Sequence, residues 1–287
     1  MRIDIAESIN KITFPDHIWE WIDVLGDVIA TTQEEALKHE DFLANTDFKK
    51  LLVVSLNKEI STLNAIYLLL RCEWIHQAAA QARIFCEGVI TLKYITQDSN
   101  SRAKSFNEYS KIETYERILA LLEWERDKAI PTIVKQIENL RIELEPEYTK
   151  LKVLYQYMGH NGKQRPFRNW CNKTMPQQAE ECGKDIEKLY SLVYKQMSAY
   201  IHGSAWSLRR QLSYSRKNYK EDVVLVDIAT VVRTTIVIWL ELVKFCDSQL
   251  GWKFSYPAQL IINKLETLDI KYLTEKQNYT DTIPDSK

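Results

Sequence analysis

Between residues 185 and 208, in DIEKLYSLVYKQMSAYIHGSAWSL, the positions Ile186, Leu189, Tyr190, Val193, Tyr194, Met197 and Ile201 recur at spacings of three and four. That period lays one apolar face along an amphipathic helix, and Gly203 suits its left-handed cap. From Asn57 to Thr96 there is no proline and one glycine, Gly88, and the stretch is apolar nearly all round. The pattern predicts a single long helix buried on most sides. The most hydrophobic run, VVLVDIATVVRTTIVIWL at 223–240, is interrupted by Asp227 and Arg233 and reads as a second buried helix, with no membrane insertion expected.

The remaining segments are more polar. Residues 1–50 read as two or three short helices, one opening after Pro15-Asp16 and one after Thr31-Thr32, with Trp19 and Trp21 packed onto the body. Residues 97–110 read as a polar loop, followed by helices on either side of Pro131, the second carrying Pro146 and a solvated, alternately charged face. Residues 158–183 lack periodicity, and their glycines, prolines and the cations Lys163, Arg165 and Arg168 mark an ordered loop able to close over a ligand. A short helix from Pro257 to about Leu268 and a frayed tail complete the chain. The expected fold is all-α, a multi-helix bundle with one long buried central helix. Its expected parts are an N-terminal helical segment at 1–56, the main bundle at 57–268 and a flexible tail at 269–287.

Composition narrows the classes of function. Thirty-eight Lys and Arg against 39 Asp and Glu give a formal charge of −1, so no global field draws the chain to nucleic acid or an anionic membrane. Seven glycines and seven prolines in 287 residues, with almost no hairpin dipeptide, argue against a sheet-rich fold. Five cysteines, odd in number and without a CxxC pair, indicate neither a disulfide framework nor a zinc knuckle, and fit reduced thiols in a cytoplasmic setting. The N-terminal stretch lacks the apolar core of a signal peptide.

Polar residues on the apolar helices carry the candidate chemistry. Tyr194, Ser198 and His202 follow one another at four-residue steps, with Lys195 seven residues before His202. A phenol, a hydroxyl and an imidazole therefore share one stripe, and the helix's negative end favours the imidazolium. Glu73, His76, Arg83 and Glu87 fall on one line of the long helix, costly to bury unless they pair. Two helices that each carry such a stripe satisfy it most cheaply by facing each other, so Arg83 and Glu87 are expected to meet Tyr194, Ser198 and His202. The alternative use of the same contact is a structural knot that fixes helix register. Glu73-x-x-His76 has the form of half a di-iron carboxylate site, but no second copy exists, so no metal and no cofactor is expected. Arg71 and His76, spaced like an arginine–histidine pair of HEPN ribonucleases, would point about 140° apart on a continuous helix. No GxSxG, Walker or GxGxxG motif is present.

ARIFCEGVITLKYI at 82–95, RNW followed by AEECG at 168–183, and LYSLVYKQMSAYIHGSA at 189–205 resemble the successive motifs of domain-of-unknown-function family 5677, a bacterial and phage-associated helical family. The resemblance covers about residues 60–245 and marks Arg83, Glu87, Trp170, Tyr194, Ser198 and His202, with Arg168 beside Trp170. The chain departs at Lys195, where the family pattern usually has arginine. A basic residue, six residues and a histidine is also similar to the HEPN arrangement. That likeness implies a metal-independent endoribonuclease in which His202 transfers protons, Ser198 and Tyr194 orient it, and Lys195 with Arg83 holds phosphate. The reading set first is a non-catalytic binding or effector module in a bacterial stress or phage-defence context, with binding residues Arg83, Glu87, His76, Trp170 and Arg168. An RNA or a protein is the partner expected, and a homodimer is left open.

Overall fold

The computed structural model describes residues 16–38, 47–125, 131–159, 161–201, 209 and 221–281. Among these it contains nine helices: α1 Asp16–Lys38, α2 Asp47–Arg71, α3 Ile75–Thr96, α4 Ser99–Glu125, α5 Pro131–Leu154, α6 Met175–Glu181, α7 Lys184–Ile201, α8 Glu221–Leu250 and α9 Ser255–Asp281. A two-stranded antiparallel sheet, β1 Gln156–Met158 with β2 Gln164–Pro166, places Tyr157 opposite Arg165. The all-α multi-helix bundle expected from the periodicity is the architecture found.

Helix α3 is the centre. It packs against α2, α7 and α8 along its length and against α4 and α6. Its small residues Ala78, Ala79 and Ala82 let those neighbours approach closely, while Phe85, Val89 and Ile90 fill the space beyond. Each such large side chain contributes about 1.5–3 kcal/mol by leaving water. Helices α1, α2, α7, α8 and α9 close the same core, to which Trp21 belongs and against which Trp19 packs. A satellite cluster of Tyr109, Ile112, Leu151 and Tyr155 joins α4 to α5 and receives Phe167 and Trp170 from the loop region.

Several expectations need correction. The single rod from Asn57 to Thr96 is two antiparallel helices, because the chain turns back at Cys72-Glu73-Trp74. There the Trp74 N–H donates to the Leu69 carbonyl at 2.8 Å and the Glu73 N–H to the Leu70 carbonyl at 2.9 Å, with Glu73 at φ 64°. This is the Schellman ending of a helix, with glutamate in the left-handed position that glycine usually takes. Residues 99–110, expected as loop, open α4, whose inner side carries Ala103, Tyr109 and Ile112. Residues 16–38 form one continuous helix with no break at Thr31-Thr32, and there the Thr32 hydroxyl donates to the Val28 carbonyl at 2.6 Å and accepts the Trp239 indole N–H at 2.9 Å. Within 158–183 the chain forms β2 and α6, and α9 continues past Leu268 to Asp281.

Helix α8 has the length and hydropathy of a membrane span, and two thirds (67%) of its apolar window is buried among its neighbours. Its two interruptions have partners. Asp227 accepts the Tyr200 hydroxyl at 2.7 Å in the core, and Arg233 pairs with Asp269 and lies over the Trp21 ring at 4.8 Å.

Candidate functional site

The polar stripes of α3 and α7 face each other. Arg83 Nε donates to Glu87 Oε1 at 3.0 Å, one helical turn on, and Arg83 Nη1 reaches Ser198 Oγ on α7 at 3.4 Å. The guanidinium also lies over the Tyr194 ring, 4.5 Å from its centroid, and Tyr194 in turn packs at a tilt on Tyr190, 5.4 Å between centroids. Ser198 is buried, whereas Tyr194 and Lys195 are exposed, so the stripe runs from the core to the surface along α7.

Above this contact lies an open groove of about 600 Å³ between α3, α6 and α7. Its aromatic floor is Tyr190 and Tyr194, Met175 and Pro176 form the wall at the start of α6, and Lys195, Glu180 and Glu187 supply further charge. Thr174 sets that wall in place, accepting the N3 backbone N–H through its side chain while its own N–H donates to Gln177 Oε1 at 2.9 Å. Counting every ionisable lining group but the tyrosines, two cations stand against three carboxylates. Arg83 is already neutralised by Glu87, and neither Glu180 nor Glu187 makes an ion pair among the described residues. Burial, with the Glu87 charge second, raises the Tyr190 phenol above its ordinary pKa, so it remains a neutral donor.

The other residues singled out in the sequence lie elsewhere. His76 is half-buried near the start of α3, edge-on to Tyr200 at 5.7 Å, and burial lowers its pKa against the opposing pull of Asp227. Arg71 sits on Trp19 and pairs with Asp23 at 3.3 Å, so it shares no site with His76. Glu73, at the turn, does not continue the α3 stripe. Trp170 is wedged edge-on against Tyr94 and Phe106, an anchoring position, and Arg168 lines a separate cavity in the loop region. His202 lies outside the described residues.

Sequence reasoning passed over Tyr190 as a groove residue, together with Glu180, Glu187, Met175 and Pro176. Glu187 was findable, since it precedes Tyr194 by seven residues and extends the same stripe backwards. The α6 residues carry no comparable signal because a seven-residue helix shows too little of the period.

Nucleophilic thiols are not available at four of the cysteines. Burial pushes the Cys86 thiol up to about 12 and Cys182 to about 11, and raises Cys171 and Cys246 as well. Among the described residues, no three His, Cys, Asp or Glu side chains gather to hold a metal ion.

No curated protein and no solved structure matches the chain. A family model does, over residues 49–220, a span from the first turn of α2 to beyond α7 that holds Arg83 and Glu87 as well as Tyr194 and Ser198. With more than half of its length so matched, the chain belongs to the family of unknown function DUF5677.

Proposed function

We propose that the protein is a helical binding module, of the effector kind expected for a bacterial stress or phage-defence setting. Its α3–α7 groove takes a ligand that joins a cationic group to an apolar or aromatic body. The observation that carries this reading is the lining: a tyrosine floor with Glu180 and Glu187 uncompensated by any ion pair among the described residues. Arg83 over Tyr194 already displays the geometry of a cation on that aromatic surface. An exposed contact of this kind is worth about 0.5–1 kcal/mol, and more once water is displaced.

The competing reading, a HEPN-like endoribonuclease with His202 transferring protons, asks the same groove to hold a phosphodiester. Arg83 would then have to leave Glu87, and the phosphate would face three carboxylates. Like charges brought together in a partly dry groove oppose binding.

Two small probes of similar size and opposite charge test the reading. In titrations followed by tyrosine ring resonances, 2-phenylethylamine should bind at least tenfold more tightly than phenylacetate, and Glu187→Gln with Glu180→Gln should erase the difference. A preference for phenylacetate, or none, overturns the proposal. Cleavage of total RNA by the wild type that disappears in His202→Ala would put the ribonuclease reading in its place.

A further inference from the structure

The second cavity has the opposite electrostatics. It lies on the loop side of the β1–β2 hairpin, has a volume of about 430 Å³, and its lining includes Tyr157, Arg165, Arg168, Asn161, Asn172 and Lys173 and, among the described residues, no carboxylate. Lys173 is partly neutralised by Glu181, whereas Arg165 and Arg168 make no ion pair among the described residues. The loop is held in shape from beneath. Phe167 and Trp170 insert into the satellite core, the Tyr109 hydroxyl donates to the Phe167 carbonyl at 3.1 Å, and the Phe167 N–H donates to the Tyr155 carbonyl at 2.9 Å. Arg168, between those two anchors, is left exposed.

The amide side chains sharpen the character of the lining. Asn161 Oδ1 accepts the Lys163 N–H at 3.4 Å, Asn172 Oδ1 accepts the Arg168 N–H at 3.4 Å, and Gln177 Oε1 accepts the Thr174 N–H at 2.9 Å. Each of these residues has committed its oxygen to the chain's own backbone and keeps its NH₂ group as the spare function. Among the described residues the lining therefore offers guanidinium and amide donors and no carboxylate, with Glu181 entering only as the ion-pair partner of Lys173. Gly159 is part of the design, because a Cβ there would stand 3.0 Å from Arg165 Nε and push that side chain aside. Tyr157, opposite Arg165 in the hairpin, adds a ring at the same place.

We infer that this cavity binds a phosphate ester carrying an adjoining flat ring, that is, a nucleotide, either free or as a unit of a single strand. Arg165 and Arg168 take the phosphoryl oxygens, the forked guanidinium matching that geometry, and Tyr157 packs on the ring. The volume lies in the range of small-molecule sites. The site is independent of the α3–α7 groove: it uses none of that groove's residues, so either can fail without the other.

Titration of the full chain with 5′-AMP, adenosine, inorganic phosphate and a short single-stranded oligoadenylate tests it. AMP or the oligoadenylate should bind at least tenfold more tightly than adenosine. Arg165→Gln and Arg168→Gln should each weaken that binding about tenfold. Tyr157→Leu should weaken AMP while leaving phosphate unchanged. Oligoadenylate at least tenfold tighter than AMP identifies a strand as the source of the nucleotide, and equal affinities identify the free nucleotide. Both arginines are exposed, so melting temperatures of the variants should stay within a few degrees of wild type, which keeps the comparison valid. Adenosine binding as well as AMP, wild-type affinity in the double arginine variant, or no binding of AMP and oligoadenylate overturns the inference.

Discussion

Replacing Glu59 by glutamine should flatten the way the protein's stability falls between mildly acid and neutral pH. Glu59 lies on α2 with its side chain 1% exposed, pressed against the backbone of α3 at Gly88. Among the described residues its Oε2 has no hydrogen-bond partner, and the cation paired with it, Lys58, is 3.3 Å from Oε1 but largely in solvent. Burial disfavours the charged form more than Lys58 favours it, and pushes the carboxyl from 4.5 up to about 7. The folded chain therefore keeps a proton that the unfolded chain releases. Stability from this residue is present in full below about pH 4.5 and is lost as the pH rises to about 7, above which the loss is complete. A gap of about 2.5 at roughly 1.36 kcal/mol each amounts to about 3 kcal/mol, an order-of-magnitude figure. His76 acts in the opposite sense, since its lowered pKa removes stability as the pH falls, and it is unchanged in the variant. Urea unfolding at intervals from pH 4.5 to 8, wild type beside Glu59→Gln, isolates the Glu59 contribution as the difference between the two curves. Parallel curves across that range would refute the reasoning.

Two further substitutions probe the same core. Gly88→Ala places a Cβ 2.0 Å from Glu59 Oε1 and 2.5 Å from its Cδ, so it should cost roughly 1–3 kcal/mol in urea melts, and much less on a Glu59→Ala background. Equal costs in both backgrounds would show that the clash is not with Glu59. Tyr200→Phe removes a 2.7 Å donor from the buried Asp227 carboxylate and should cost about 1–3 kcal/mol at pH 7, read as a lower denaturation midpoint with unchanged slope.

The facing of α3 and α7 was legible because both helices carry polar groups on otherwise apolar faces, and burial leaves such groups few other partners. The turn between α2 and α3 was not legible, because the left-handed position falls on Glu73 and no glycine or proline announces it. The opening of α4 was hidden by the polarity of QDSNSRAKS, in which Ala103 alone is buried. The β-hairpin does carry an Asn-Gly pair at its tip, Asn161-Gly162, but three-residue strands on either side show too little alternation for the pair to be read as a hairpin. The charge of the α3–α7 groove was the largest omission: the HEPN likeness implied that Arg83 and Lys195 grip phosphate, and only packing of α6 beside α7 brings Glu180 to the same rim.

The acid in the second turn of α8, Asp227, has a consequence for the chain before its helices have assembled. A carboxylate inside a hydrocarbon span is costly, so Asp227, the fifth residue of the apolar stretch Val223–Leu250, penalises any route by which the greasiest segment might settle into lipid on its own. The same group becomes a favourable hydrogen-bond partner once Tyr200 arrives from α7. One side chain thus discourages a wrong solvent for the helix and rewards the right neighbour.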